Sequence, residues 1–216
     1  MMICLVPYRS EKTDRSSWGM HHPLPKRIFL IQGHPDPVQS HLSHALAACY
    51  EEGAQNAGHT VRHCDVGKLD FPMLRSQQEF ESGELPEHLQ KVQADIFWSE
   101  HLVLFFPLWA GGMPALLHGF LEQIFRPSFT GASAGIFTKK RLNGHTARLV
   151  VSMGMPTSIY RWYFCAHGIK SLQRSLLGIV GIGPVKSTLI GRTANMKRKE
   201  VDLWFSKVKH LGARGE

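Results

Sequence analysis

Apolar and polar positions follow two periods along this chain. Short apolar runs bounded by glycine, proline and polar residues predict strands at Arg27–Gly33, His59–Val66, Leu102–Phe106, Ala147–Ser152 and Pro184–Ile190. Between them the period lengthens to that of a helix. Leu42, Ala45, Leu46 and Cys49 share one face of a helix predicted from about Ser40 to Asn56, which Gly58 closes. Leu89, Val92 and Ile96 face inward from Glu87–Trp98. Pro114 opens another helix with Leu117, Phe120, Leu121 and Ile124 on its buried face. Tyr160–Val180 is read as mainly helical, and Val201, Trp204, Phe205 and Val208 mark the last helix. Residues 73–86 are polar and read as irregular. Residues 126–144 form an excursion rich in Gly, Ser and Lys, too long for a mere connection.

The run Leu102-Val-Leu-Phe-Phe106 has no polar alternation, as expected of a strand covered on both faces. Five strands alternating with helices predict an α/β fold: a three-layer sandwich, a five-stranded parallel sheet with helices on both faces. Residues 26–216 form one domain in this reading. Residues 1–25 are polar and form a flexible N-terminal arm, with Met20 a second possible start and no apolar segment of the secretory type.

Composition narrows the function classes. Charged residues make up 19% and hydrophobic ones 43% of the 216 residues, ordinary for a globular domain with a sizeable core. Lys and Arg exceed Asp and Glu by 25 to 17, a formal charge of +8. That balance suits either a basic surface or a field that draws anionic ligands such as a nicotinamide dinucleotide. The basic residues are not clustered with aromatics, so nucleic acid is not an expected partner. The greasiest stretch, Leu102–Phe125, is broken by Pro107, Gly111, Gly112 and Pro114, so no membrane insertion is expected. Cys4, Cys49, Cys64 and Cys165 have no CxxC spacing and read as reduced, mostly buried thiols of a cytoplasmic protein. His41 and His44 lack the spacing and carboxylates of a metal site, and no metal is expected.

In an open parallel sheet, ligands bind beyond the carboxyl ends of the strands, and three ends here carry unusual residues. Strand one ends in Gly33-His-Pro-Asp-Pro-Val-Gln-Ser-His-Leu42, a turn into a helix whose N–H groups suit a phosphate. Strand three ends in Pro107-Leu-Trp-Ala-Gly-Gly112, where paired glycines admit a flat ligand beside Trp109. Strand four ends in Ser152-Met-Gly-Met155, with Tyr160 and His167 following. A phenol and an imidazole can stabilise charge developing on a redox ring. Taken singly, each has a plainer reading: Ser40 as an N-cap, Trp109 and Tyr160 as packing residues, His167 as a surface residue. In combination they describe a flavin site.

At these residues the chain resembles the flavodoxin-like NAD(P)H:quinone oxidoreductases, the group of DT-diaphorase-type enzymes and potassium-efflux ancillary flavoproteins. The resemblance covers about residues 26–212. It is carried by His34-Pro-x-Pro…Ser40, by Phe106-Pro-Leu-Trp-x-Gly-Gly-Met-Pro-Ala-Leu-Leu-x-Gly-Phe120, and by Gly154…Tyr160. It implies a flavodoxin-like fold, a bound flavin (FMN or FAD), NAD(P)H as co-substrate, a quinone or similar flat aromatic acceptor, and a homodimer. It places His34, Ser40, His41 and Leu42 on the flavin phosphate arm and Pro107, Leu108, Trp109 and Ala110 along the ring. Met153 and Gly154 would cradle the ring's pyrimidine side, and Tyr160 and His167 would be catalytic. Where the family often has threonines and glycines in the third loop, Met153 brings no hydroxyl, so main-chain amides would serve. Trp109, Phe129 and Phe137 are candidates for the aromatic wall of the slot, with residues 126–144 as its rim. A redox-sensing regulatory partner of a membrane transporter and an electron-carrying flavodoxin-type module are the alternatives.

Overall fold

The computed structural model describes residues 24–37, 41–130 and 141–216. The expected N-terminal arm, Ser40 and Phe137 lie outside the described residues, apart from the arm's last two positions. Five parallel strands form one sheet: β1 (Arg27–Gln32), β2 (Thr60–Asp65), β3 (His101–Pro107), β4 (Thr146–Ser152) and β5 (Val185–Ile190). Their order is β2-β1-β3-β4-β5. β1 pairs with both β2 and β3, Ile31 lying opposite Cys64 and Leu104. β3 is buried from His101 to Phe106, which explains its unbroken apolar run.

Successive strand residues point to opposite faces, so each strand feeds two cores. Ile28, Leu30, Val103, Phe105, Val150 and Ile190 pack under α1 (Leu42–Asn56) and α9 (Arg198–Ala213). Phe29, Ile31, Leu104, Phe106, Leu149 and Val151 face the other layer. That layer is built from α2 (Gln77–Ser82), α3 (Glu87–Trp98), α4 (Ala115–Ile124), α5 (Pro127–Thr130), α6 (Thr157–Trp162), α7 (His167–Ser171) and α8 (Gly178–Val180).

Where α1 crosses α9 the backbones meet. A Cβ on Gly53 would fall on the carbonyl oxygen of Lys209, and one on Gly212 on that of Tyr50. Both glycines are therefore required by the approach of two rigid helices rather than by a turn.

Three expectations need correction. Residues 73–86 are not wholly irregular: α2 forms there, with Ser76 Oγ accepting from Glu79 N. It buries no residue, so it leaves no apolar period; its visible signal is the capping spacing of Ser76 and Glu79. Tyr160–Val180 is mainly helical, as expected, but in separate pieces. It breaks between α6 and α7, where Cys165 and Ala166 take left-handed φ values of 50° and 51°, and it continues as a wide π turn over Leu172–Leu177 before α8. The same break leaves Cys165 exposed, whereas Cys64 is buried.

Two outcomes follow for stability. Gly53→Ala is expected to lower unfolding stability by about 1–3 kcal/mol through overpacking at the crossing, read as a lower urea midpoint with unchanged slope. His101 is buried beside Lys26 and Arg148, and burial above all drives its pKa down from 6.5 to about 3. It is neutral when folded but takes a proton when unfolded. Stability should therefore fall as pH drops from about 6.5 towards 3, by at most about 1.4 kcal/mol per pH unit for this group. His101→Gln should flatten that slope in urea titrations at pH 7 and pH 5.

Candidate active site

The site is assembled where the sheet's hydrogen-bond ladder runs on past the strands. Gly33 N donates to Phe105 O at 2.7 Å, and Leu108 N donates to Ser152 O at 2.7 Å. The turns after β1, β3 and β4 are thereby held side by side at the carboxyl edge. Gly33 is needed because a Cβ there would meet the Leu117 side chain of α4.

In the first turn, His34 N donates to Gln32 Oε1 (3.1 Å) and Asp36 N donates to His34 Nδ1 (3.1 Å). His41 Nε2 lies 2.7 Å from Asp36 Oδ2. The rings of His34 and His41 stack at 4.0 Å, and His44 lies 5.4 Å from the first and 5.9 Å from the second. Helix α1 begins at Leu42 with His41 as N-cap, slightly later than the predicted start near Ser40. His41 makes no side-chain cap bond, and the first turn holds no acidic residue. The amides of Leu42 and Ser43 thus point from a positive helix end with no side-chain cap of their own. Burial first, then the neighbouring His41, holds the pKa of His34 below the ordinary imidazole value.

The second turn is a two-residue hairpin. Trp109 and Gly112 exchange both backbone hydrogen bonds at 2.9 Å. Ala110 and Gly111 at its tip have φ values of 47° and 82°, the left-handed pair such a turn requires. The Ala110 and Gly111 amides have no partner among the described residues. Trp109 is half exposed, and its ring meets that of His34 edge-on at 6.0 Å. Pro107 ends β3 and Leu108 packs partly into the core.

In the third turn Met153 departs from its expected part. Its side chain is buried in the core, its N–H donates to Ile190 O (2.8 Å), and its carbonyl accepts from Thr193 N (3.2 Å). Both of its main-chain groups are committed to neighbouring chain. Gly154, the next residue, is exposed and has open space where a Cβ would stand; so have Gly111 and Gly112. Gly111 and Gly112 belong to the hairpin of Trp109, and Gly154 follows the Ser152 carbonyl that Leu108 binds; these three form the glycine shelf.

Tyr160 is fully buried. Its hydroxyl donates to Gly111 O (3.2 Å) and accepts from Ile169 N (3.4 Å), joining the hairpin to α7. Burial raises its pKa, against the pull of the Ile169 and Gly168 amides. A Cβ on Gly168 would strike Gly111 O, so α7 presses directly on the hairpin. His167 is exposed and sits one residue before that contact. Phe129 does not line a slot: it is buried against Phe97 (4.6 Å) and Phe125 (6.1 Å). Sequence reasoning missed the exposed Trp162, Tyr163 and Phe164 beside the site. The aromatic run Tyr160–Phe164 signals them, hidden when the whole segment is read as amphipathic helix. Among the described residues no cluster of His, Cys, Asp or Glu could hold a metal ion, and no helix is long and apolar enough to cross a membrane.

The chain belongs to the flavodoxin-like fold family, which residues 26–205 match. A protein of Haemophilus influenzae called an uncharacterized NAD(P)H oxidoreductase is 29% identical over 122 residues, 53% of this chain and 60% of that protein. The chain thus spans about three fifths of the length of that relative. An FMN-dependent NADH:quinone oxidoreductase 2 of Listeria monocytogenes is 25% identical over 201 residues, 82% of this chain and 92% of that one. The solved NAD(P)H:quinone oxidoreductase from Methanothermobacter marburgensis superposes with a TM-score of 0.73 at 21% identity, covering 89% and 96% of the two chains.

The residues at the sheet edge fit a phosphorylated planar cofactor. A helix start without a side-chain cap, ringed by imidazoles, suits the phosphate, and the glycine shelf with its unpartnered amides suits a flat ring with acceptor atoms. If Tyr160 braces this shelf, Tyr160→Phe leaves Gly111 O and Ile169 N without their partner. We expect a stability loss of about 1–2 kcal/mol by thermal or urea unfolding, with the hairpin loosened and the rest of the fold retained.

Proposed function

We propose that this protein is a flavin-dependent NAD(P)H:quinone oxidoreductase. The reading is carried by one observation: the edge contact of His34 with Trp109 puts the helix start and the glycine shelf within one cofactor's length. It is supported by the similarity to the Listeria FMN-dependent NADH:quinone oxidoreductase and to the Haemophilus NAD(P)H oxidoreductase. When bound, FMN or FAD would accept hydride from NAD(P)H and return two electrons with protons to a quinone or similar flat acceptor, the two substrates using one slot in turn.

The chain's own residues divide the remaining work. His34, His41 and the Leu42 and Ser43 amides hold the phosphate, with Ser40 assigned there from its place in the turn. Pro107, Leu108, Trp109 and Ala110 line the ring. The amides of Ala110, Gly111 and Gly154 donate to ring acceptors, and Met153 supports Gly154 from beneath. Tyr160 is a positioning residue, since its hydroxyl already bridges Gly111 and Ile169. His167, exposed at the start of α7 one residue before the approach of Gly168 to Gly111, is the catalytic candidate. The exposed aromatics Trp162, Tyr163 and Phe164 suit the face through which two copies form a homodimer. Use of NAD(P)H fits a cytoplasmic protein with free thiols.

The test is direct. The purified full chain is incubated with FMN or FAD, desalted, and mixed with NADPH or NADH without oxygen. Retained yellow colour that bleaches on reduction and returns on adding a quinone is the expected result. A chain that takes up neither flavin refutes the reading. His167→Gln is expected to lower kcat while bound flavin per chain stays constant; unchanged kcat removes His167 from the mechanism.

A further inference from the structure

We propose that binding of a phosphate dianion at the start of α1, beside His41 and the Leu42 and Ser43 amides, is coupled to uptake of one proton by His44, so that the seat tightens as pH falls toward neutrality. The proposal rests on the flavin reading and goes beyond it, since His44 has no part in the resemblance or in the assigned seat.

Three observations carry it. His44 is nine-tenths buried, yet both ring nitrogens are sealed from solvent without a hydrogen-bond partner. It occupies the third helical position of α1, and side chains there lean back toward the helix start. Its ring lies 5.4 Å from that of His34 and 5.9 Å from that of His41, at the end of the groove between α1 and β2 that it lines with Asp65 and Lys68. Ser43, one position earlier, also has a buried Oγ without a partner. The first turn has more buried polar capacity than the protein itself uses.

The charges around His44 explain why an anion decides its state. His34 in the turn, His41 at the N-cap and Lys68 after β2 disfavour a proton on it; Asp36 in the turn and Asp65 at the end of β2 favour one. Glu51 and His63 lie along the same groove between α1 and β2 and contact each other at 3.5 Å. Burial is the largest influence and lowers the pKa of His44, as it does that of His34. The positive end of α1 acts in the same direction. Without an anion, the ring is neutral near pH 7 and can offer one N–H. A dianion at the helix start reverses the local field, and a protonated ring then offers two. Binding takes up a proton, so affinity rises as pH falls through the window between the free and anion-bound pKa values.

The experiment uses the full chain and three probes from pH 7.0 to 8.5. FMN carries ring and phosphate, riboflavin the ring alone, and sulfate a dianion whose charge does not change over this range. FMN affinity, read by flavin fluorescence, is expected to rise toward pH 7 by up to about tenfold per pH unit, the limit for one proton. Riboflavin affinity should stay flat, and sulfate should compete with FMN better at pH 7.0 than at 8.5. Calorimetry in two buffers of different ionisation enthalpy should show proton uptake with FMN and none with riboflavin. His44→Gln should flatten the FMN slope with an unchanged circular dichroism spectrum; a retained slope overturns the assignment to His44. If that variant does not fold, wild-type calorimetry decides. FMN binding that is flat with pH and free of proton uptake overturns the coupling and leaves the flavin reading standing. Binding of neither flavin overturns both.

Discussion

Backbone hydrogen bonds made just beyond the strand ends govern this site. The bond from Gly33 N to Phe105 O, the bond from Leu108 N to Ser152 O and the bond from Met153 N to Ile190 O each continue the ladder for another residue. Turns that would diverge freely are instead held at strand spacing, about 5 Å apart. The ladder can extend this way because β3 is buried on both faces and sits at the middle of the sheet, so its neighbours are fixed on either side. A flat ring laid across those turns would meet a surface that folding has already ordered, which lowers the entropy lost on binding.

On that platform the chain holds unusual backbone at one contact. Ala110 lies on one side of the Gly111–Gly168 approach and Cys165 and Ala166 on the other, three of the four non-glycine residues with left-handed φ among the described residues, Arg192 being the fourth. Such conformations cost of order 1 kcal/mol each and persist where surroundings impose them. Here the surroundings are the buried Tyr160, whose hydroxyl ties hairpin to helix, and the close approach of Gly168. The break in the long predicted helix is thus a consequence of docking α7 on the hairpin. Fixing the hairpin leaves its tip amides facing outward.

The electrostatics of the edge are local rather than global. The formal charge of +8 draws anions in general, whereas at the start of α1 the local field comes from the helix end and the neighbouring His34, His41 and His44 rings. Three such rings within about 6 Å of one another cannot all be charged without a counter-charge. A lysine or arginine in their place would hold a permanent charge and bind phosphate at any ordinary pH.

How much of this was legible in the chain follows from which forces act locally. The five strands, the order of helices, the double burial of Leu102–Phe106 and the three glycine-bearing turns are written in hydrophobic period and turn residues, because those signals arise from neighbours in sequence. Helix α2 was hidden because it buries nothing, although Ser76 and Glu79 marked its cap. The roles of Met153, Phe129 and Tyr160 were not legible: a methionine amide taken by Ile190, a phenylalanine drawn into the core by Phe97, and a phenol bridging Gly111 to Ile169 depend on partners 9 to 49 residues away. The stacking of His34 on His41, with His44 tilted beside them, was equally invisible, although the three lie close in sequence. Its geometry depends on how the end of β1 and the start of α1 are placed in the fold. Sequence alone determined the layers and the edge at which a ligand would sit. Tertiary packing decided which atoms at that edge remain available, because a donor or acceptor is free only when no distant partner has claimed it.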